Sequence, residues 1–592
     1  MKTRSEIEEK FKWDLSTLCT SDEEFYSKLN EIKPQLDKLQ EYKGKLNNKE
    51  VIWDYLCFDR SISKVLDPLQ IYAYLKSDEV VSDNARNEMV ETISNMLSKV
   101  SYETSFISSE LHALSDEFLD ELIADEKFKD YDKFFKDIKD DKKHILSPAE
   151  EKLLSGMDFL GGFSENMHKL SDADINFGEI EDEKGEKHAL TNSNYSKYMR
   201  CADRTLRKNS FARLNGEFGN HINMLSSNYI SEVKANCYFA KVRNYPSALE
   251  RALENEEVDE KVYFTLLNQV NKNLPVLFDY YKLKQKEMKL DDFYIYDTLA
   301  GELGENKAEK QYTYDEAIEI IKKAVAPLGE EYVGLIQRAK DERWIDVYPN
   351  KDKASGAYCN SIYGHHPYVL TNFEGQIDDV FTLAHELGHA MHSYFSSKCQ
   401  PETKSYYTIF LAEIASITNE MLLINYLLSV AKSDDEKKNL YNKLFDEVKG
   451  SIYRQTMFAE FEQTMHSMNE NDVPLTKDKV CDTYCDIVKK YFGHVKLIDE
   501  IKYEWARIPH FFRGFYVYKY STGMICAIAF ANRILSGKKG AVEDYFKFLS
   551  AGGCDTPITI LKNAGCDITD EKTFEGCFDY LRLMLNEWQK LI

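Results

Sequence analysis

Apolar residues recur at helical spacing along most of this chain, and its 592 residues include only 12 prolines and 26 glycines to interrupt them. Side chains at i, i+3, i+4 and i+7 line one face of an α-helix. A mainly α fold is therefore expected, with more core than one ordinary domain supplies. Residues 1 to 200 read as amphipathic helices joined by charged linkers such as Lys136–Lys143, which predicts an N-terminal helical domain over 1–200. Two stretches depart from the helical pattern. Ile175–Ile180 and His188–Thr191, joined through 181–187, predict a hairpin, and Asp346–Asn372 clusters Gly, Pro and β-formers as the best territory for a small sheet.

Charge and composition exclude several function classes. The formal net charge is −24, so the bulk field repels nucleic acid. The longest apolar runs, such as Met524–Ala531, are too short to span a bilayer, and Met1–Lys10 has no apolar signal core. A soluble cytoplasmic protein without nucleic-acid or membrane partners is expected. The 12 cysteines form no C-x-x-C pair, consistent with reduced thiols. Cys481 and Cys485, four apart, are two thiols and an incomplete metal site. There is no Gly-rich phosphate loop and no G-x-S-x-G.

Chemistry concentrates in Ala384–His392, A-H-E-L-G-H-A-M-H. On a helix, His385 and His389 lie on one face a turn apart, where two neutral imidazoles can bind one zinc ion. Glu386 follows the first ligand and is placed as a general base toward a water at the metal. Asp378 and Asp379 precede the apolar run, where acids favour the positive end of the helix dipole. Gly388 costs about 1 kcal/mol relative to Ala inside a helix, and its small size lets another backbone approach. A catalytic zinc needs a third protein ligand and an open position. Glu413 lies 24 residues beyond His389, a carboxylate among Phe, Leu, Ile and Ala that needs a partner when buried. The spacing lets one helix end near Ser396–Ser397, a loop pass Pro401, and a return helix run through Leu428. Glu420, seven residues on, is on roughly the same face as Glu413 and placed to orient a ligand histidine. His392, a turn beyond His389, reads as a supporting or core histidine.

At these residues the chain resembles the M3 family of zinc metallopeptidases, in its oligoendopeptidase F branch. Asp379–Ser393 is similar to the family's zinc helix, and Ala412–Ser416 with Asn419–Glu420 is similar to its third-ligand helix. Ser355–Tyr358 and Gly364–Asn372 resemble the segment beside its cleft. Arg507–Phe512 and Phe515–Gly523 resemble its transition-state-binding region. Trp13–Leu15 and Leu561–Asp567 extend the likeness over almost the whole length. The resemblance implies a helical ellipsoid with a deep substrate channel, a small β-sheet beside one zinc per chain, and a catalytic domain over 201–592 with part of the channel wall in 1–200. It also implies activity on short oligopeptides. His510 and one or more of Tyr516, Tyr518 and Tyr520 are the candidates for stabilising the developing negative charge. Gly356, Ala357 and Tyr358 are read as an exposed strand edge for an extended peptide, and His365 and His366 as substrate-side contacts.

The leading expectation is a zinc endopeptidase. A peptidyl-dipeptidase is the enzyme alternative, and a non-catalytic zinc protein that binds peptides is the alternative of another class. Intact Glu386 and the lack of a fourth ligand weigh against the last. Another divalent metal in place of zinc stays open.

Overall fold

The computed structural model describes residues 1–155, 157, 162–301 and 310–592. The chain packs into two compact units, one made of Met1–Lys143, Ala308–Leu423 and Ile534–Ala564, the other of His144–Lys307, Ile424–Arg533 and Gly565–Ile592. Each unit gathers three separated segments, so packing divides the chain differently from the sequence division at residue 200.

Helices dominate both units, as the apolar spacing predicts. In the first, the helix Lys49–Glu79 shows how the pattern works. Asn48 caps it by accepting from the N–H groups of Glu50 and Val51, and Ile52, Leu56, Ile62, Leu66, Leu69 and Ala73 form its buried stripe. This unit also holds a three-stranded sheet. With β1 (Glu179–Glu181) and β2 (Lys187–Ala189) assigned to a hairpin in the second unit, its strands are β3 (Ile345–Asp346), β4 (Tyr358–Asn360) and β5 (Tyr368–Leu370). Their order is β3–β5–β4: β5 is central, parallel to β3 and antiparallel to β4 with Cys359 opposite Val369. All three β5 residues are buried, as a central strand without a solvent face requires.

The chain leading into β4 is fastened by a buried charge network. Asp346 accepts from Arg4 at 2.8 and 2.5 Å and pairs with Lys353 at 2.7 Å. Lys353 also donates to the carbonyl oxygen of Thr371 at 2.6 Å. Asn372 donates to the carbonyls of Ala354 and Gly356, and the Tyr358 hydroxyl donates to Asp78 at 2.5 Å. Groups this buried are retained only when paired, so the network holds β4 at the sheet edge.

Four longer helices carry the rest of the argument: α1 (Ile377–Cys399), α2 (Ile409–Val430), α3 (Gln455–Glu470) and α4 (Tyr518–Leu535). Asp379 secures the start of α1, accepting from the N–H groups of Gln376 and Glu374 at 2.9 Å. α1 runs to Cys399, beyond the expected stop near Ser396–Ser397, and α2 runs two residues past Leu428. The second unit has an aromatic-rich core in which Tyr280 stacks on Phe445 at 5.4 Å and Tyr229 on Phe461 at 5.7 Å. The predicted hairpin forms there, with Ile180 opposite His188. Among the described residues, no helix is long and apolar enough to cross a membrane.

Candidate metal centre

The i, i+4 spacing on α1 brings the Nε2 atoms of His385 and His389 to 3.2 Å. Glu413, on the first part of α2, places Oε2 3.4 Å from the first of these nitrogens and 3.8 Å from the second. These three side chains form a group that can hold a metal ion. A tetrahedral ion with bonds of about 2.0–2.1 Å keeps its ligands about 3.3 Å apart, close to the separations here. The donor set also fits, since two imidazoles and one carboxylate leave a fourth position open.

Close helix contact makes this possible, and Gly388 permits it. A Cβ at Gly388 would stand 2.5 Å from the Cα of Ser416 and 2.8 Å from the carbonyl oxygen of Ala415. Asn419 reinforces the contact by donating from α2 to the carbonyl oxygen of Ala384 at 3.1 Å, while its own oxygen accepts from the Tyr332 hydroxyl at 2.8 Å. Glu420 Oε1 lies 2.5 Å from His385 Nδ1, the contact by which a carboxylate fixes ring orientation and leaves Nε2 for a metal. Ser416 donates to Glu413 at 3.3 Å.

Three carboxylates and two imidazoles in a partly buried site perturb one another. Burial opposes charge on His385, yet its bonds to Glu413 and Glu420 raise it to about 10. Burial and the neighbouring His385 charge push His389 down to about 4. Burial also opposes the Glu413 carboxylate, but the His385 bond and both imidazole charges hold it below its ordinary value. Glu386 is only 7 % exposed, and burial, tempered by His385 and reinforced by Glu413 and Glu420, lifts it to about 7. A partly buried group this rich in carboxylates is complementary to a divalent cation, and Glu386 stands beside it.

A cavity of about 470 Å³ opens on these side chains. His385, Glu386, His389 and Glu413 line it, together with Ala357 and Tyr358 at the β4 edge. Gly356 sits one step back in the turn, at φ +82°, with its carbonyl oxygen held by Asn372. His365 and His366 are not brought to this cavity. His366 stacks on Trp344 at 5.2 Å and leans on Tyr368, and His365 lines a separate hollow with Thr17, Lys28 and Gln35. Their loop leads into the buried strand β5, which draws both rings away. His392 is fully buried, stacked at 3.7 Å on Tyr407, and burial drops it to about 3. It supports packing and, among the described residues, has no bond to His385 or His389. Tyr407, which the sequence reading passed over, lines the cavity, and its hydroxyl is 2.7 Å from Ser393 Oγ. Its only sequence signal was its place in the loop between α1 and α2.

His510 and the three tyrosines belong to the other compact unit. His510 Nε2 lies 3.4 Å from the Tyr520 hydroxyl, and its ring is 6.4 Å from that of Tyr516. Tyr516 and Tyr520 are 5.5 Å apart, ring to ring. Tyr518 is placed differently from the other two tyrosines. Its ring is 1 % exposed and packs on Tyr263 at 5.4 Å, because its position at the start of α4 points into the core.

A helix-borne His–Glu–His set completed by a carboxylate from a second helix, open to a cavity with a strand edge, is an arrangement suited to a metallopeptidase. Family comparison agrees. The model for peptidase family M3 matches residues 197–579, and the model for oligopeptidase F matches residues 110–177. The chain belongs to peptidase family M3, in its oligoendopeptidase F branch. It is 36 % identical to the oligopeptidase PepF of Bacillus subtilis, covering all of this chain and 88 % of that protein. It is also 36 % identical to an oligoendopeptidase F homolog of Borreliella burgdorferi, covering both chains fully. Among solved structures, a putative peptidase from Chlamydophila abortus matches with a TM-score of 0.96 at 34 % identity over both full chains. Oligoendopeptidase-F from Enterococcus faecium matches with a TM-score of 0.73 at 33 % identity, covering 96 % of this chain and 99 % of that one.

Proposed function

We propose that this protein is a cytoplasmic zinc endopeptidase that hydrolyses internal bonds of short oligopeptides. The observation that carries the reading is Glu386 standing beside the convergent His385, His389 and Glu413 in a cavity bordered by β4. Held by those three side chains, zinc would supply Lewis acidity toward a substrate carbonyl and a water. The chain's own residues do the rest. Glu386 accepts a proton as water attacks the carbonyl carbon, then delivers it to the leaving amine. Glu420 keeps His385 in one ring orientation. His510, with Tyr516 and Tyr520, donates hydrogen bonds to charge developing on the substrate. Among the described residues β4 has one edge unpaired in its sheet, and an extended peptide can add there through main-chain bonds that ignore side-chain identity. All twelve cysteines are free thiols, which supports the cytoplasmic assignment.

We infer size selection, as expected if the resemblance to the family extends to an enclosed substrate channel. One cleavable sequence is presented as a short peptide with blocked ends and again inside a long unfolded chain, with and without chelator, and products are read by mass spectrometry. Chelator-sensitive cutting of the short form at a much higher kcat/KM is the expected outcome. Equal kcat/KM for both forms would leave a general protease, and refusal of blocked ends would favour the peptidyl-dipeptidase.

A further inference from the structure

A second cavity, of about 280 Å³, lies within the other unit, where the helix Ala248–Glu254 faces the loop that follows His510. Its lining includes Asn236, Arg251, Glu256, Arg513, Tyr516 and Lys519. Three of these are cations and one is a carboxylate, and that carboxylate, Glu256, is already taken by Lys519. Among the described residues neither Arg251 nor Arg513 has an anionic partner. This is anomalous in a chain with 100 acidic residues against 76 basic ones. Arg513 is exposed and solvated, so the anomaly rests on Arg251, which is partly buried; partly buried arginines elsewhere are paired, as Arg4 is with Asp346, Arg207 with Asp297, Arg243 with Glu151 and Arg454 with Glu504.

Arg251 is half-buried, with its guanidinium over the Phe239 ring at 5.7 Å, and burial weighs against its charge. Leaving such a group unpaired costs free energy that a bound anion offsets. Tyr516 organises the opposite wall. Arg513 lies over its ring at 6.0 Å and Lys519 at 4.8 Å, so one aromatic face gathers two cations. The same tyrosine is 6.4 Å from the His510 ring.

We propose that this cavity binds a carboxylate of the peptide substrate, with Arg251 and Arg513 as its cationic partners. The inference rests on the peptidase reading and deepens it, by giving a sequence-tolerant enzyme a preference for an anionic group. Guanidinium forks match a carboxylate's two oxygens, which favours this ligand over a neutral side chain. The carboxylate can come from the peptide's C-terminus or from an Asp or Glu side chain, and the test separates the two.

The measurement is the dissociation constant of peptides for the metal-loaded Glu386→Gln protein, which removes turnover from the readout. One short sequence containing a Gln is made as a C-terminal acid, as a C-terminal amide, and as an amide with that Gln replaced by Glu. At least one carboxylate form should bind about tenfold more tightly than the neutral amide, and which one does identifies the source. Adding Arg251→Gln and Arg513→Gln together should bring that ratio to within about twofold, while Arg251→Lys should keep most of it. Thermal unfolding checks that each variant is folded. Equal binding of all three peptides to the parent protein, or a ratio that survives the double substitution, overturns the proposal. Cleavage of the neutral amide by the wild-type enzyme is scored separately. Its absence would count against the peptidase reading, whereas the binding ratio judges the anion site on its own.

Discussion

The metal group and the His510 cluster are held in place by opposite means. His385 and His389 meet because an α-helix repeats every 3.6 residues, and several contacts guard that arrangement: the Gly388 approach, the Asn419 bond to Ala384 and the Glu420 bond to His385. His510 and Tyr516 are instead carried by a short 3-10 turn, Pro509–Phe512, and the irregular loop after it. In that loop Phe515 adopts φ +55°, rare for a residue with a side chain. Its N–H is caught at 2.7 Å by Oε1 of Glu462, a fully buried residue of α3. The first arrangement is overdetermined. The second combines short-range turn bonds, such as Arg513 N–H to the His510 carbonyl oxygen at 2.9 Å, with the Glu462 bond to a backbone under local strain, so similar substitutions should act differently in the two places.

The largest effect belongs to the metal group. Glu386→Gln should keep metal content and lose turnover, by about 10²–10⁴-fold at least for a general base. His385→Ala should lose the metal as well. Metal analysis beside peptide kinetics separates the two, and near-normal activity of Glu386→Gln would reject the mechanism. Next come the donors of the other region. His510→Ala, Tyr516→Phe and Tyr520→Phe should each lower kcat by about 10²–10³-fold if they meet transition-state charge, with KM changing less. Tyr518→Phe should leave kcat near the wild-type value because that ring is in the core. If it proves as damaging as Tyr520→Phe, the assignment by burial is wrong.

A smaller effect is expected from Glu420→Gln. An outer carboxylate that orients a ligand histidine is worth about 10–100-fold in metal affinity, measured by competition with a chelator. Unchanged affinity would mean that helix geometry alone positions His385. The subtlest test concerns Glu462. Burial, opposed by the Phe515 bond and reinforced by Glu232, raises its carboxyl to about 8. The folded state then holds this proton to higher pH than the unfolded chain does. Stability from this group is complete below the ordinary Glu value and is lost as pH rises toward 8. Glu462→Gln should remove that loss, so the difference in Tm between variant and wild type should shift in favour of the variant between about pH 5 and pH 8. A constant difference across that window would show that Glu462 does not titrate there.

Legibility in the sequence followed the range of the interactions. The helical class, the hairpin and the sheet territory were readable because side-chain period and turn residues act over a few positions. The pair His385 and His389 was readable for the same reason, and Glu413 because a lone carboxylate in an apolar helix signals an unmet partner. The surroundings of His365, His366 and Tyr518 were not readable, because local spacing does not say which way a loop or a helix start turns. Trp344 draws one ring inward, Tyr263 another, and neither is near in sequence.

By itself, then, the sequence determined the helices, the edge of a small sheet and the three side chains that can hold a metal, all consequences of backbone periodicity and residue chemistry. Tertiary structure alone decided that Ser416 would lie against Gly388, that Asn419 would clasp Ala384, that Tyr516 and Tyr520 rather than Tyr518 would face His510, and that Arg251 and Arg513 would share one cavity without an acid between them. Each of those depends on groups far apart along the chain, whose meeting is fixed by close packing and by the cost of leaving polar atoms unpaired.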